Sequence, residues 1–157
     1  MTDHNVQDAD TDAPAFSLQK IYVKDISFEN PNAPGIYTLP ASQPKFEINM
    51  GVAHKQVDAD HWEVSLKISI TAHESQNEQL LFEIEIEHAA VFYIRHIDEE
   101  QMPILLGVEC PTIIFPYARQ LISQLTIDGG FMPLLLEPVN FRALFENSRA
   151  QAEHQVH

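Results

Sequence analysis

Eight histidines, one cysteine and a row of three glutamates are the residues of this chain whose types could do chemistry. Histidines hold transition metals when two stand at paired spacing and further ligands join them. His4, His54, His61, His73, His88 and His96 are scattered without such spacing. His154 and His157 are three apart, which would place them on one helix face, but no third ligand accompanies them. Cys110 precedes Pro111 and has no flanking glycine motif, so it reads as a small buried hydrophobe rather than a nucleophile. No glycine-rich phosphate loop and no Gly-x-Ser-x-Gly elbow occur, and there are only five glycines to build such loops. The residues therefore predict no catalytic group, no metal site and no cofactor.

Glu83, Glu85 and Glu87 have period-two spacing, which in a strand puts all three on one side at intervals of about 6.6–6.8 Å. Such a row repels itself, although water and salt weaken the effect. An ordinary solvated face with Lys67 or Lys45 opposite fits these residue types. A docking surface for a basic partner fits them too. The apolar counterpart is Phe82, Phe92, Phe141 and Phe145, whose types alone fit core packing.

The elements that must position these residues are mostly strands. Residues 16–28 form the first, with an odd phase: Phe16 and Leu18 lie in one register, Ile21 and Val23 in the other. A bulge near Lys20, or burial of both faces, would produce that switch. Pro31, Pro34, Pro40 and Pro44 with Gly35 make 29–44 a long loop. Phe46, Ile48 and Met50 alternate with polar residues as a short half-buried strand, and 51–60 reads as a polar connection. Trp62, Val64, Leu66, Ile68 and Ile70 form the clearest alternation, followed after a turn at 74–78 by a strand from Leu80 that becomes more uniformly apolar through Ile94. Asp98 and Glu99 would open a short helix through about Val108. Beyond Pro111, Ile114, Ala118, Leu121 and Leu125 mark an amphipathic helix that Gly129-Gly130 ends. Ile113, Phe115, Ile122 and Ile127 fall outside that stripe, and self-association would cover them. Asn140 would cap a last helix carrying Phe141, Leu144 and Phe145. The predicted class is α+β, a four-stranded antiparallel sheet with helices on one face.

Bulk properties narrow the partners. The chain has 157 residues, enough for one domain with its own core. Nine Lys and Arg stand against 23 Asp and Glu, for a net charge of −14. That balance argues against nucleic acid and against anionic membranes, and favours basic partners. A single cysteine fits a reducing compartment. No basic start followed by an apolar run and no membrane-length apolar stretch occurs, so a cytoplasmic location is expected. Residues 1–15 read as a mobile acidic tail and 150–157 as a flexible C-terminal tail, bracketing one domain at 16–149.

Three stretches in order carry a family resemblance. They are Ile21-Tyr22-Val23-Lys24-Asp25-Ile26-Ser27-Phe28-Glu29-Asn30-Pro31-Asn32-Ala33-Pro34, then Cys110-Pro111-Thr112-Ile113-Ile114-Phe115-Pro116-Tyr117-Ala118-Arg119, and Pro138-Val139-Asn140-Phe141-Arg142-Ala143-Leu144-Phe145. Together they resemble SecB, the bacterial protein-export chaperone family, over roughly 16–148. The resemblance implies a tetramer built as a dimer of dimers that holds unfolded secretory preproteins without ATP and delivers them to the export ATPase SecA. It places SecA docking on Asp25, Glu29 and Glu85, with Glu83 where the family often has an apolar residue. It places a client groove between sheet and helix at Phe82 and Phe145, with Phe92, Leu134, Leu136, Phe141 and Leu144 beside them. SecB-like tails often touch a zinc-bearing domain of SecA, but here the tail is short. Two other readings remain: a non-catalytic acidic adaptor for one folded basic partner, and a SecB-like chaperone dedicated to a toxin–antitoxin pair.

Overall fold

The computed structural model describes residues 13–40 and 42–155. The predicted tail at 1–15 therefore lies outside the described residues up to Asp12, and the first strand, β1, begins at Ala15 and runs to Glu29. β2 is Pro44–Gln56, β3 is His61–Glu74 and β4 is Leu80–Arg95. They form one antiparallel sheet in the order β1-β4-β3-β2. The α+β, four-stranded expectation is met, with the long early strand paired to the last one.

β1 shifts register between Leu18 and Lys20, where the phase of its apolar residues switches, and again between Val23 and Asp25. Each shift inserts a residue that has no cross-strand partner and re-aims those that follow. β2 is longer than its alternation predicts. It continues through Gly51 to Gln56, so the polar connection shrinks to residues 57–60. The loop between β1 and β2 carries a 3-10 turn, Gly35–Thr38, that buries Ile36. Tyr37 pins this loop to a part of the chain distant in sequence by donating its hydroxyl to the Gly129 carbonyl at 2.6 Å. Gly130, beside that contact, adopts φ +84°, which a glycine tolerates without a Cβ clash.

The helical layer differs from expectation at one point. A single α-helical turn, α1 (Met102–Ile104), passes into a π-helical turn at Leu105–Glu109 and straight on into α2, Cys110–Asp128. Two separate helices were expected, divided near Pro111. Pro111 has no amide hydrogen and its ring crowds the carbonyl four residues back. The widened turn just before it takes up that ring, and Thr112 Oγ1 donates to the Val108 carbonyl at 2.6 Å. The last helix, α3, is Phe141–Gln155, capped as expected by Asn140, whose Oδ1 accepts the Ala143 amide at 3.0 Å. α3 continues past residue 149, so 150–155 extend the helix and only 156–157 lie outside the described residues.

The core lies between α2 and the two central strands. Val64, Leu66, Ile68 and Ile70 from β3 meet Ile84, Ile86, Ala90 and Phe92 from β4, under Ile114, Phe115, Ala118 and Ile122. Phe115 and Ile122, expected to need a second chain to cover them, are buried here in the chain's own core. Ile113 is half-buried and Ile127 exposed.

One buried residue of β4 is ionisable near neutral pH. His88 faces α2 from β4, in register with Val23 and Leu66 and with the Tyr117 ring 6.5 Å away. Burial holds its imidazole below the ordinary 6.5. The unfolded chain therefore binds a proton more readily than the folded one, so stability is full above pH 6.5 and falls as pH drops towards the folded-state value. Denaturant unfolding between pH 7.5 and 5 should show a larger loss for the native chain than for His88→Gln. Equal losses would mean that His88 is freely solvated.

Candidate functional site

The two faces of the sheet differ completely in character. On the face away from the helices, Asp25, Glu85 and Glu87 line a shallow depression of about 380 Å³, together with Lys67. Glu85 also lines a neighbouring depression of about 170 Å³ with Glu29 and Glu83. The structure thus brings the four sequence-designated acidic residues onto one continuous surface and adds Glu87. Lys67, directly across from Glu87 in register, is the cation lining the larger depression. One carboxylate on this face is tied down. Glu63 accepts from Lys24 Nζ at 2.7 Å and from the Tyr22 hydroxyl, with Lys55 Nζ at 3.8 Å. Burial opposes ionisation of Glu63, but the hydrogen bonds from Lys24 and Tyr22 outweigh it and hold the carboxyl below its ordinary range. The same contact works in reverse on Tyr22, whose hydroxyl is pushed up to about 12 by burial and then by Glu63.

On the helix side, α2 packs chiefly on β3 and β4. The apolar residues of the edge strands stay partly open, Phe16, Leu18, Val23 and Ile26 on β1 at 36–46% and Phe46, Ile48 and Val52 on β2 at 37–45%. Between β2 and α3 runs a groove of about 290 Å³, lined by Val52, His54, Gly107, Phe141, Leu144 and Phe145. Gly107 is needed there, because a Cβ would stand 2.8 Å from the Phe145 ring. β2 is also a sheet edge, so its outward amides and carbonyls have no strand partner among the described residues.

Of the sequence-designated groove residues, Leu144, Phe145 and Phe141 line this groove. Leu134 is half-buried. Phe92, Phe82 and Leu136 do not present groove surface. Phe92 is fully buried, stacked on Phe16 at 5.5 Å, because β4 is a central strand beneath α2. Phe82 is buried among Phe131, Phe28 and Phe46 at 4.9, 5.9 and 6.3 Å. Leu136 is buried in the same core. Val52 and His54 were missed, although the alternation Ile48, Met50, Val52 already pointed past Gly51.

Cys110 is fully buried, and burial, followed by the charge of Glu109, pushes its thiol up to about 12. Among the described residues no three His, Cys, Asp or Glu side chains are grouped to hold a metal ion, and the side chains of His4, His154 and His157 lie outside those described. No described helix is long and apolar enough to cross a membrane.

Comparison with known proteins identifies a family. The family model described as preprotein translocase subunit SecB matches residues 9–152. The chain belongs to the SecB family. The protein-export protein SecB of Desulfotalea psychrophila is 48% identical over 91% of this chain and 92% of its own length. That of Magnetococcus marinus is 40% identical over 96% of this chain and 95% of its own. Among solved structures, the SecB-like chaperone of Mycobacterium tuberculosis in complex with an antitoxin peptide has a TM-score of 0.66 at 19% identity, covering 79% of this chain and 90% of that one. That likeness shows a shared fold.

The core and groove assignments separate by mutation. Phe92→Ala should cost about 3–5 kcal/mol as a core cavity. Leu144→Ser, at a side chain 44% exposed, should change stability by about 0.5 kcal/mol or less. Chemical denaturation of both variants checks this, and similar costs would place Leu144 in the core.

Proposed function

We propose that this SecB-family chain is an ATP-independent holdase, which keeps secretory preproteins unfolded and delivers them to the SecA export ATPase in the cytoplasm. The observation that carries the reading is the groove between β2 and α3, apolar along its walls and bordered by a strand edge unpaired among the described residues. Apolar walls bind unfolded segments without directional demands, at roughly 25 cal/mol per Å² buried, so many sequences fit. The strand edge offers main-chain hydrogen bonds that are equally indifferent to sequence. Neither contact needs a nucleotide or a covalent step.

The acidic face supplies a separate function. Asp25, Glu29, Glu83 and Glu85, with Glu87, lie on the opposite side of the sheet from the groove, so a basic partner can dock while a client is held. Charge there steers encounter and register. We assign this face to SecA. The open apolar row of β1, together with the exposed Tyr117 and Ile127 on α2, is surface that self-association would cover, which supports a tetramer assembled as a dimer of dimers.

The test is a slow-folding preprotein diluted from denaturant without ATP. A stoichiometric amount of the chain should delay refolding, and Val52→Ser with Leu144→Ser should shorten the delay severalfold. Asp25→Asn with Glu85→Gln should leave the delay intact and weaken SecA binding. No delay by the native chain would refute the holdase reading. A delay coupled to salt-sensitive binding of folded basic proteins alone would favour an acidic adaptor.

A further inference from the structure

The second bulge of β1 creates an electrostatic problem for the acidic face. Because register shifts between Val23 and Asp25, Lys24 and Asp25 both turn to the outer side of the sheet. Lys24 therefore starts beside the carboxylates of the depression, and it is close enough for the charge of Glu87 to act on it. A lysine free to swing there would neutralise Asp25 or Glu87. It does not, because its ammonium is held 2.7 Å from Glu63 on β3, on the far side of β4. We propose that Glu63 is a positioning residue for docking: it draws Lys24 away from Asp25 and Glu87 and so keeps the depression acidic where a basic partner sits. This rests on the docking reading given above.

Three observations support it. The Glu63 side chain is only 12% exposed, whereas that of Lys24 is 38% exposed, so the anchor is fixed and the lysine is the part that would move. Tyr22 donates a second hydrogen bond to Glu63, which holds the carboxylate in place independently of Lys24. Ala89 and Ser65 are buried although they are on the outer face, which fits cover by the side chains spanning β4 at this point. Lys55, at 3.8 Å and largely exposed, is only loosely held by the same group.

The consequence is a coupling between residues 24 and 63 that a purely structural ion pair would not transmit to a ligand. The probe is a lysine-glycine repeat peptide, titrated calorimetrically against the full chain at low and at physiological salt. Glu63→Gln should weaken binding about three- to tenfold at low salt and flatten the salt dependence. The double variant Lys24→Met, Glu63→Gln, with the mobile lysine gone, should return to native affinity. Gln keeps an acceptor for Tyr22, and a thermal unfolding scan of each variant separates folding from binding. If the native chain and Asp25→Asn, Glu85→Gln bind the peptide equally, the docking reading itself fails and the inference with it. If the native chain binds through that face but Glu63→Gln matches it, or the double variant stays as weak as Glu63→Gln, Glu63 has no positioning role.

Discussion

One α-helix is too narrow to cover four strands, and the rest of the molecule follows from that mismatch. A helix with its side chains is about 10–12 Å across, and neighbouring strands lie about 4.8 Å apart. α2 therefore covers about two strands, and it settles on β3 and β4, where the core-facing residues are almost entirely buried. β1 and β2 carry apolar residues on the same face with little above them. They remain as open apolar strips, one of which α3 borders to make a groove.

The opposite face obeys a different rule. Its polar side chains need water, and most of its carboxylates line open depressions. Among the described residues, Glu63 is the one carboxylate there with a full set of cationic and hydroxyl donors. Asp25, Glu29, Glu83, Glu85 and Glu87 have no comparable partners among the described residues and leave a field that a basic protein would feel. Under the function proposed above, separating an apolar side from an acidic side across one sheet would let two partners bind without competing. The division follows directly from the period-two alternation of β3 and β4.

Much of this was legible in the residues. Alternation from Trp62 to Ile70 and from Leu80 to Ile94 placed both central strands, and the phase switch after Leu18 located a bulge. The same signal recurs between Val23 and Ile26, where the second bulge lies. Asn140 identified its helix start by chemistry alone. What could not be read depends on assembly of the whole sheet. Phe82 and Phe92 look the same in sequence whether they line a groove or fill a core, and the outcome turns on β4 being central, which alternation does not encode. Pro111 reads locally as a break, and only a π turn, a cooperative adjustment over five residues, lets the helix run through it. Gly51 appeared to end β2 because a glycine adds no side chain to the alternation, yet the strand pairs with β3 up to Gln56.

Hydrogen exchange of the full chain with and without an unfolded preprotein addresses the central claim most directly, since it reads each strand separately. The open-edge account predicts that client binding slows the outward amides of β2 and the first turns of α3, while β3 and β4, already protected by α2, change little. Protection gained on the acidic side of the sheet alone, with β2 exchanging as before, would contradict it.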